Sequence, residues 1–356
     1  MSHLFSPFKL RSVELRNRVG ISPMCQYSAV EGMAKGWHFA HYGSRAAGGA
    51  GLVLIEATAV EPRGRITPLD LGIWTDAHAA ALGKIAAFIS AQGAVPGIQL
   101  GHAGRKASCA PPWDGGRQLS DAEGGWRPVG PGRVPFGGGL SRVPWELSEA
   151  EIADITAAFA AAARRAAAVG FKWLELHAAH GYLLQSFCSP LTNQRADTYG
   201  GTFKNRIRFL MEVVRASREA WPDELPLAVR VSATEWVDGG WSVEDSIALA
   251  RRLKPKGVDL LDVSSGGNLP DAPIPSHNPG YQTPFAERLR REVEIPVAAV
   301  GNITTATLAE DIVASGKADL VLIGRKSLAE PYWPLKASAE LGGSPAWPPQ
   351  YARAAL

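Results

Sequence analysis

At Trp173-Leu174-Glu175-Leu176-His177-Ala178-Ala179-His180-Gly181-Tyr182, a buried-strand pattern runs into a cluster of polar side chains. The apolar first half follows a helical pattern that stops near Gly170, which is typical of a buried strand. Two imidazoles and a phenol then arrive within six residues. Because buried parallel strands are built from apolar side chains, polar groups crowded at one strand end predict a functional site there.

Two simpler interpretations of the histidines remain open. Either His177 or His180 alone is more typical of a core histidine satisfied by backbone, and together they suit a two-histidine metal pair. The hydroxyl of Tyr182 arrives beside both. It favours an acid–base cluster that also holds an oxyanion, and we expect no metal.

Outward from this stretch, strand and helix patterns alternate along the whole chain. The predicted strands are Val19–Pro23, Leu52–Ala57, Gly97–Leu100, Trp173–His177, Leu227–Val231, Leu260–Ser264, Val297–Val300 and Leu320–Ile323. The predicted helices are His38–Ala47, Asp76–Ala91, Glu149–Val169, Phe203–Trp221, Val243–Leu253, Phe285–Glu292 and Thr305–Ala314, with a last helix from about Tyr332. Eight repeats predict an α/β fold, a (β/α)8 TIM barrel forming one domain over residues 1–356. An open doubly wound sheet is the alternative, weakened because no GxGxxG motif follows the first strand.

Local signals support these boundaries. Ser148 is followed three residues later by Glu151, which is the spacing of a capping box. Gly93, Gly170 and Gly316 stand where helices should end.

Two segments interrupt the alternation. Residues 107–147 are rich in Gly and Pro and contain three tryptophans, so after the third strand we expect a packed lid over the barrel mouth. The tail, 342–356, contains three prolines and is predicted not to be helical. The tail is expected either to be irregular or to pack at a subunit interface.

Composition excludes several classes of protein. Of the 356 residues, 46% are hydrophobic and 20% charged, and a net charge of +3 without basic runs argues against nucleic acid or an acidic membrane surface. The N-terminus lacks the apolar core of a secretory signal, and the apolar stretch 157–163 is too short to cross a bilayer. Three cysteines without a CxxC pair suit reduced thiols, and we expect a cytoplasmic protein.

Reading the predicted strand ends together indicates a cofactor. Gly301 and Gly324-Arg325 follow the seventh and eighth strands, where many barrels bind a phosphate through backbone N–H groups and a cation. Gln99 and Arg230 should face the same cavity and suit a planar heterocycle. An ion pair of Arg230 with Glu56 or Glu175 is an equally good interpretation. The set favours a phosphorylated planar cofactor.

Four segments resemble the old yellow enzyme family, and the likeness covers nearly the whole chain. They are Ser22-Pro23-Met24-Cys25-Gln26-Tyr27, Gln99-Leu100-Gly101-His102-Ala103-Gly104-Arg105-Lys106, the His177–Tyr182 motif, and Asn193–Gly201 with Asn205-Arg206 after it. Cys25 together with the second histidine, His180, is similar to the bacterial subgroup of xenobiotic reductases and thermostable ene-reductases.

The resemblance implies a tightly but non-covalently bound FMN and NADPH as the hydride donor, with NADH possible. The implied FMN-binding residues are Pro23, Met24, Cys25, Ala57, Gln99, Arg230, Gly301, Gly324 and Arg325. The implied activity is reduction of activated alkenes, such as α,β-unsaturated carbonyl or nitro compounds, by ping-pong hydride transfer through flavin N5.

The resemblance also implies roles for the substrate side. His177 and His180 should donate hydrogen bonds to the substrate oxygen, with Tyr182 as the proton donor. Tyr27 should supply a second hydroxyl, and Cys25 should tune the flavin. Lys106 is expected at the entrance. Arg353 matches an arginine that the thermostable subgroup inserts into a partner's site, which implies a homodimer or larger oligomer.

Other interpretations remain. A dienoyl-CoA-type or amine dehydrogenase would carry a further C-terminal domain and an iron–sulfur cysteine cluster. A non-redox lyase or isomerase would place a phosphorylated substrate where we place FMN, and a flavin-binding protein without turnover would be yellow but inactive. Some xenobiotic reductases carry a pocket tryptophan after the seventh strand, where this chain has Val300-Gly301-Asn302-Ile303. His38 and His41 are expected to be structural.

Overall fold

The computed structural model describes residues 2–354. Twelve strands are formed within them: β1 (Phe8–Leu10), β2 (Val13–Leu15), β3 (Val19–Ile21), β4 (Leu52–Ala59), β5 (Val95–Gly101), β6 (Val129–Gly130), β7 (Trp145–Glu146), β8 (Trp173–Ala178), β9 (Leu227–Ser232), β10 (Leu260–Ser264), β11 (Val297–Ala299) and β12 (Leu320–Ile323). The helices are α1 (Gly36–Ala47), α2 (Asp76–Ala91), α3 (Glu149–Ala168), α4 (Leu183–Cys188), α5 (Phe203–Arg206), α6 (Arg208–Ala220), α7 (Val243–Leu253), α8 (Thr283–Val293), α9 (Ala306–Ala314), α10 (Arg325–Ala329) and α11 (Trp333–Glu340).

Eight of the strands close into one parallel barrel, which confirms the predicted TIM-barrel fold. Their order around the barrel is β3-β4-β5-β8-β9-β10-β11-β12, with β12 pairing back onto β3. These strands are buried along almost their whole length because helices cover the outside. All eight carboxyl ends therefore meet on one face of the barrel.

The start and the end of α3 form as the sequence predicts. The hydroxyl of Ser148 accepts from the Glu151 backbone N–H, and the Glu151 carboxylate accepts from the Ser148 backbone N–H. Gly170, after α3, has φ +96°, a left-handed conformation that glycine adopts without strain.

The sequence missed several smaller elements. The predicted helix 203–221 is divided at Ile207 into α5 and α6. The antiparallel pair β1–β2 precedes the barrel, and the short helices α4 and α10 were absent from the prediction. Elements of three to six residues lack enough periodicity to be recognised.

Residues 107–147 contain little regular structure but are anchored to the barrel. The segment has 3-10 turns at Pro112–Asp114 and Asp121–Glu123 and the two-residue pair β6–β7. The indole of Trp126 donates to the carbonyl of Arg63, 63 residues earlier in the chain. These contacts hold the segment near the carboxyl ends of the strands, and its action as a lid stays a prediction.

The prediction that the tail is not helical was wrong in part. A 3-10 helix spans Pro349–Ala354, with the backbone N–H of Tyr351 donating to the carbonyl of Pro348. Proline fixes φ near the helical value, so it starts a short helix as readily as it ends one. Tyr332 stacks on Trp347 with ring centroids 6.2 Å apart. No helix in residues 2–354 combines the length and apolar character needed to cross a membrane.

Candidate active site

A cavity of about 370 Å³ opens at the carboxyl ends of the barrel strands. Every barrel strand or the loop after it contributes to the wall, and the volume lies in the range of small-molecule sites. A larger cavity, of about 810 Å³, lies at the opposite end. In that larger cavity the guanidinium of Arg16 already donates to backbone carbonyls. The smaller cavity is lined by two histidines, three tyrosines and two arginines, and it is the candidate site.

Thirteen of the fifteen predicted site residues line this cavity, namely Pro23, Met24, Cys25, Tyr27, Ala57, Gln99, His177, His180, Tyr182, Arg230, Gly301, Gly324 and Arg325. Lys106 and Arg353 are not part of its wall. Arg353 is exposed in the terminal 3-10 helix, and its entry into a neighbouring subunit's site stays a prediction.

The two histidines lie side by side in the cavity wall. His177 Nε2 lies 3.3 Å from His180 Nδ1, and the rings meet at 86°. The backbone N–H of Ala179 donates to His177 Nδ1, which leaves the proton of a neutral His177 on Nε2. Burial and the nearby Arg230 hold the pKa of each imidazole well below its usual value. Both rings are therefore neutral and each has one N–H to donate.

His180 is positioned by contacts from other strands. Its Nε2 lies 2.6 Å from the hydroxyl of Ser264 at the end of β10, and its backbone N–H donates to Ser232 at the end of β9. Its φ is +59°, an uncommon conformation for a residue other than glycine.

Two tyrosines complete the polar wall. The Tyr182 ring lies 4.8 Å from the His177 ring, centroid to centroid. Burial, with Cys25 and Tyr27 nearby, raises the pKa of Tyr182 well above its usual value. Burial also raises the pKa of Tyr27, so both phenols hold their protons at neutral pH.

Arg230 has a carboxylate partner that the sequence did not reveal. Its Nε lies 3.1 Å from Asp262 Oδ2, so the predicted alternatives, Glu56 and Glu175, were both wrong as its direct ion-pair partner. Parallel pairing places residue 262 opposite residue 230 on neighbouring strands. Gln99 donates to Glu175 instead, at 2.8 Å. Burial raises the pKa of Glu175 and of Asp262, and the positive charge of Arg230 opposes that rise.

Glu56 supports the loop that carries Cys25. Its carboxylate accepts from the backbone N–H of Gln26 at 3.0 Å and from the hydroxyl of Tyr42. Burial raises the pKa of Glu56 to about 8 and keeps Cys25 a thiol by raising its pKa. His38, expected to be structural, is fully buried, with Nε2 3.9 Å from Glu56 Oε1.

The glycine-rich end of the cavity fits a phosphate. A Cβ added to Gly324 would meet only Met24 Sδ, at 3.8 Å, so the wall there is open backbone. Gly301 has φ +120°, and a side chain there would collide with Gln282. Arg325 borders this end and forms no ion pair with any described residue. Open backbone beside an unpaired guanidinium suits a phosphate, and Gln99 with Arg230 would meet the polar edge of a planar ring.

Sequence reasoning missed Tyr281 and Gln282, which line the cavity from the loop before α8. Gln282 accepts from Ser265 at 2.7 Å and donates to the carbonyl of Val300. The loop has no periodicity or motif that would have distinguished these residues. Only the approach of two strand ends, those of β10 and β11, identifies them.

A family model described as the NADH:flavin oxidoreductase / NADH oxidase family matches residues 3–342. Among relatives, an NADPH dehydrogenase of Geobacillus sp. (strain WCH70) is 45% identical, covering 98% of each chain. An NADPH dehydrogenase of Halalkalibacterium halodurans is 44% identical over the whole of both chains.

Solved structures show the same similarity. Morphinone reductase superposes with a TM-score of 0.80 at 28% identity, covering 98% of this chain and 92% of its own. A 2-naphthoyl-CoA reductase gives a TM-score of 0.86 at 26% identity, but this chain covers only 52% of it.

Proposed function

The chain belongs to the NADH:flavin oxidoreductase / NADH oxidase family and is an FMN-dependent NAD(P)H oxidoreductase, and we propose that it reduces the C=C bond of alkenes activated by a carbonyl or nitro group. The observation that carries this proposal is a pair of neutral imidazole nitrogens, 3.3 Å apart, beside a protonated phenol. That set can hold an oxygen and supply a proton in one cavity.

The cofactor would be held along the strand ends. Gly301, Gly324 and Arg325 would bind its phosphate, while Gln99 and Arg230 would hydrogen-bond the ring. When bound, FMN supplies the hydride chemistry, taking a hydride from NAD(P)H and returning it to the second substrate. The residues of the protein would bind the cofactor, orient the alkene and protonate its α-carbon.

His177 and His180 would hold the activating oxygen of the alkene. His177 donates through Nε2 because its Nδ1 already accepts from backbone. His180 donates through Nδ1 in the tautomer whose Nε2 accepts a hydrogen bond from the Ser264 hydroxyl, 2.6 Å away. Two N–H groups would then point at one oxygen, and negative charge that develops there during reduction would be stabilised.

Tyr182 would give its proton to the α-carbon. The phenol lies against His177 and keeps its proton because its pKa is raised. It therefore acts as a general acid, and the oxygen held by the histidines fixes the substrate carbon relative to it. Tyr27 borders the same space and would narrow the choice of substrates.

The first experiment is an anaerobic visible spectrum of the purified protein, before and after NADPH and then after cyclohexenone. Flavin bands that bleach with NADPH and return with cyclohexenone are the expected result. Bands that return only with oxygen would exclude cyclohexenone as a substrate and leave the FMN assignment intact. A colourless protein that cannot be reconstituted with FMN would contradict the assignment as a whole.

Tyr182→Phe tests the role of the phenol. Flavin reduction by NADPH should persist, while alkene reduction should slow by about 100-fold or more, because one general acid is removed. Tyr281→Phe, which also removes a hydroxyl from the cavity wall, is the matched control and should leave alkene reduction nearly unchanged. Equal loss of both half-reactions in Tyr182→Phe would contradict the proposal.

A further inference from the structure

Lys106 is partly buried, and its side chain is not part of the cavity wall. Its ammonium donates to the carbonyl of His180 at 2.8 Å and to the carbonyl of Gly267 at 2.9 Å. These carbonyls belong to two loops, the one after β8 and the one after β10. Two of the three ammonium N–H groups are thus occupied by backbone carbonyls.

We propose that Lys106 is a positioning residue that clamps the His180–Gly181 turn against the loop after β10 and connects both to the 107–147 segment. The proposal rests on the proposed function only where it predicts an effect on alkene reduction. The clamp itself is a statement about the protein fold.

The turn needs an external restraint. His180 has φ +59° and Gly181 has φ +74°, so two consecutive residues are left-handed and one carries a side chain. Such a conformation is strained and persists only where neighbouring groups hold it. Ser232 holds the N–H of His180, and Lys106 holds its carbonyl. Together they fix the plane from which the imidazole projects.

The two loops approach so closely that their carbonyls need a shared cation. A Cβ added to Gly181 would lie 2.5 Å from the carbonyl oxygen of Gly267, and one added to Gly267 would lie 2.7 Å from His180 Cα. The carbonyl oxygens of His180 and Gly267 would repel each other across this gap. A buried ammonium between them supplies the compensating charge.

The same lysine contacts the 107–147 segment. Its Nζ lies 4.5 Å from the centroid of the Phe136 ring and 5.0 Å from that of the Tyr182 ring. The neighbouring Arg105 donates to the carbonyls of Pro135 and Asn268. Adjacent cations therefore tie the segment near 135–136 to the loop near 267–268. Movement of residues 135–136 would therefore shift the Lys106 ammonium and, with it, the carbonyl of His180.

Lys106→Met tests the clamp, since methionine keeps an unbranched apolar stem and removes the ammonium. Backbone amide exchange within 180–183, 265–268 and 133–137 should accelerate about tenfold or more, because one restraint on a strained turn is lost. The rate of cyclohexenone reduction at saturation should fall about 10- to 100-fold, with a smaller change in KM, because an oxyanion donor is misplaced. FMN should stay bound.

Lys317→Met, on the surface and paired with Asp311, is the matched control and should change neither measurement. Phe136→Leu, which removes the aromatic face but keeps the ammonium, should accelerate exchange in the same three segments less strongly. Its effect should not add to that of Lys106→Met, because both act on one contact. This variant keeps the proposal testable if Lys106→Met does not fold.

A raised KM with unchanged exchange would overturn the proposal and assign Lys106 to direct substrate binding. Unchanged exchange and unchanged kinetics would also overturn it. Accelerated exchange in Lys106→Met, combined with a wild-type protein that does not reduce cyclohexenone, would support the clamp while contradicting the proposed function, so the two failures are distinguishable.

Discussion

The two sides of the active-site cavity are built by different means. The side proposed to hold the cofactor, here called the cofactor side, consists of residues in or directly after barrel strands, whose register fixes their positions: Ala57, Gln99, Arg230, Gly301 and Gly324. The 180–182 turn, which is proposed to face the substrate and is here called the substrate side, is connected to the 265–268 loop and to residues 133–137 by Lys106 and Arg105, which donate to backbone carbonyls. The cofactor side therefore depends on the barrel as a whole, and the substrate side on a few individual contacts.

Breaking the cofactor side should have the largest effect on stability. Arg230→Met removes the cation that faces Asp262 and opposes the raised pKa of Glu175. Leaving buried carboxyls uncompensated costs about 3–5 kcal/mol, and FMN retention should be lost with it. Urea unfolding and the flavin content of the purified protein measure both effects.

Arg290→Met makes the same substitution in an Arg–Asp pair on the outside of the barrel, with Asp319. The Arg290 side chain is 41% exposed, so a loss of about 0–1 kcal/mol is expected. Similar losses of unfolding free energy in Arg230→Met and Arg290→Met would show that the buried pair contributes no more to stability than the exposed pair.

On the substrate side, Gly181→Ala should damage activity more than stability. A methyl group there would meet the Gly267 carbonyl at 2.5 Å and impose a left-handed alanine, costing about 2–3 kcal/mol and displacing His180. Gly170→Ala is matched to it, because φ is +96° and no atom of a described residue lies within 4 Å of the added carbon. That control should lose about 1 kcal/mol and keep full activity. Equal activity in the two variants would remove the argument for a close approach.

The sequence predicted which residues at the strand ends share one cavity, because strand ends can be identified by pattern. Once the eight strands are recognised, the fold requires Gln99, Arg230, Gly301 and Gly324 to share one face, and they do. The carboxyl partner of Arg230 was missed because register between strands cannot be read from spacing along the chain. Asp262 lies 32 positions away and is opposite Arg230 only in the folded sheet.

The sequence predicted that His177, His180 and Tyr182 lie together, as they do, but it did not predict the contacts that hold their turn. His177, His180 and Tyr182 form a local motif, so their proximity follows from sequence. Lys106 was expected at the entrance, yet its ammonium is directed to two backbone carbonyls. Loop-to-loop contacts of this kind depend on backbone conformations, such as φ +59° at His180, that no side-chain pattern encodes.

The smallest expected effect concerns Glu56, on the cofactor side beneath Cys25. Its pKa is about 8 in the fold against 4.5 in the unfolded chain, so between these values the native protein binds more protons than the unfolded protein. Stability should therefore fall as pH rises through that window. Glu56→Gln should remove up to about 1 kcal/mol per pH unit of that slope, since glutamine does not ionise.

The introduced amide cannot satisfy both Gln26 and Tyr42, which lowers the free energy of unfolding equally at every pH, so the slope against pH is the informative quantity. Urea unfolding of both proteins at pH ~5.5 and ~8.5 measures it, with the exposed Glu340→Gln as the charge control. Parallel slopes for wild type and Glu56→Gln would mean that Glu56 is ionised throughout and that the loop carrying Cys25 rests on a buried charge.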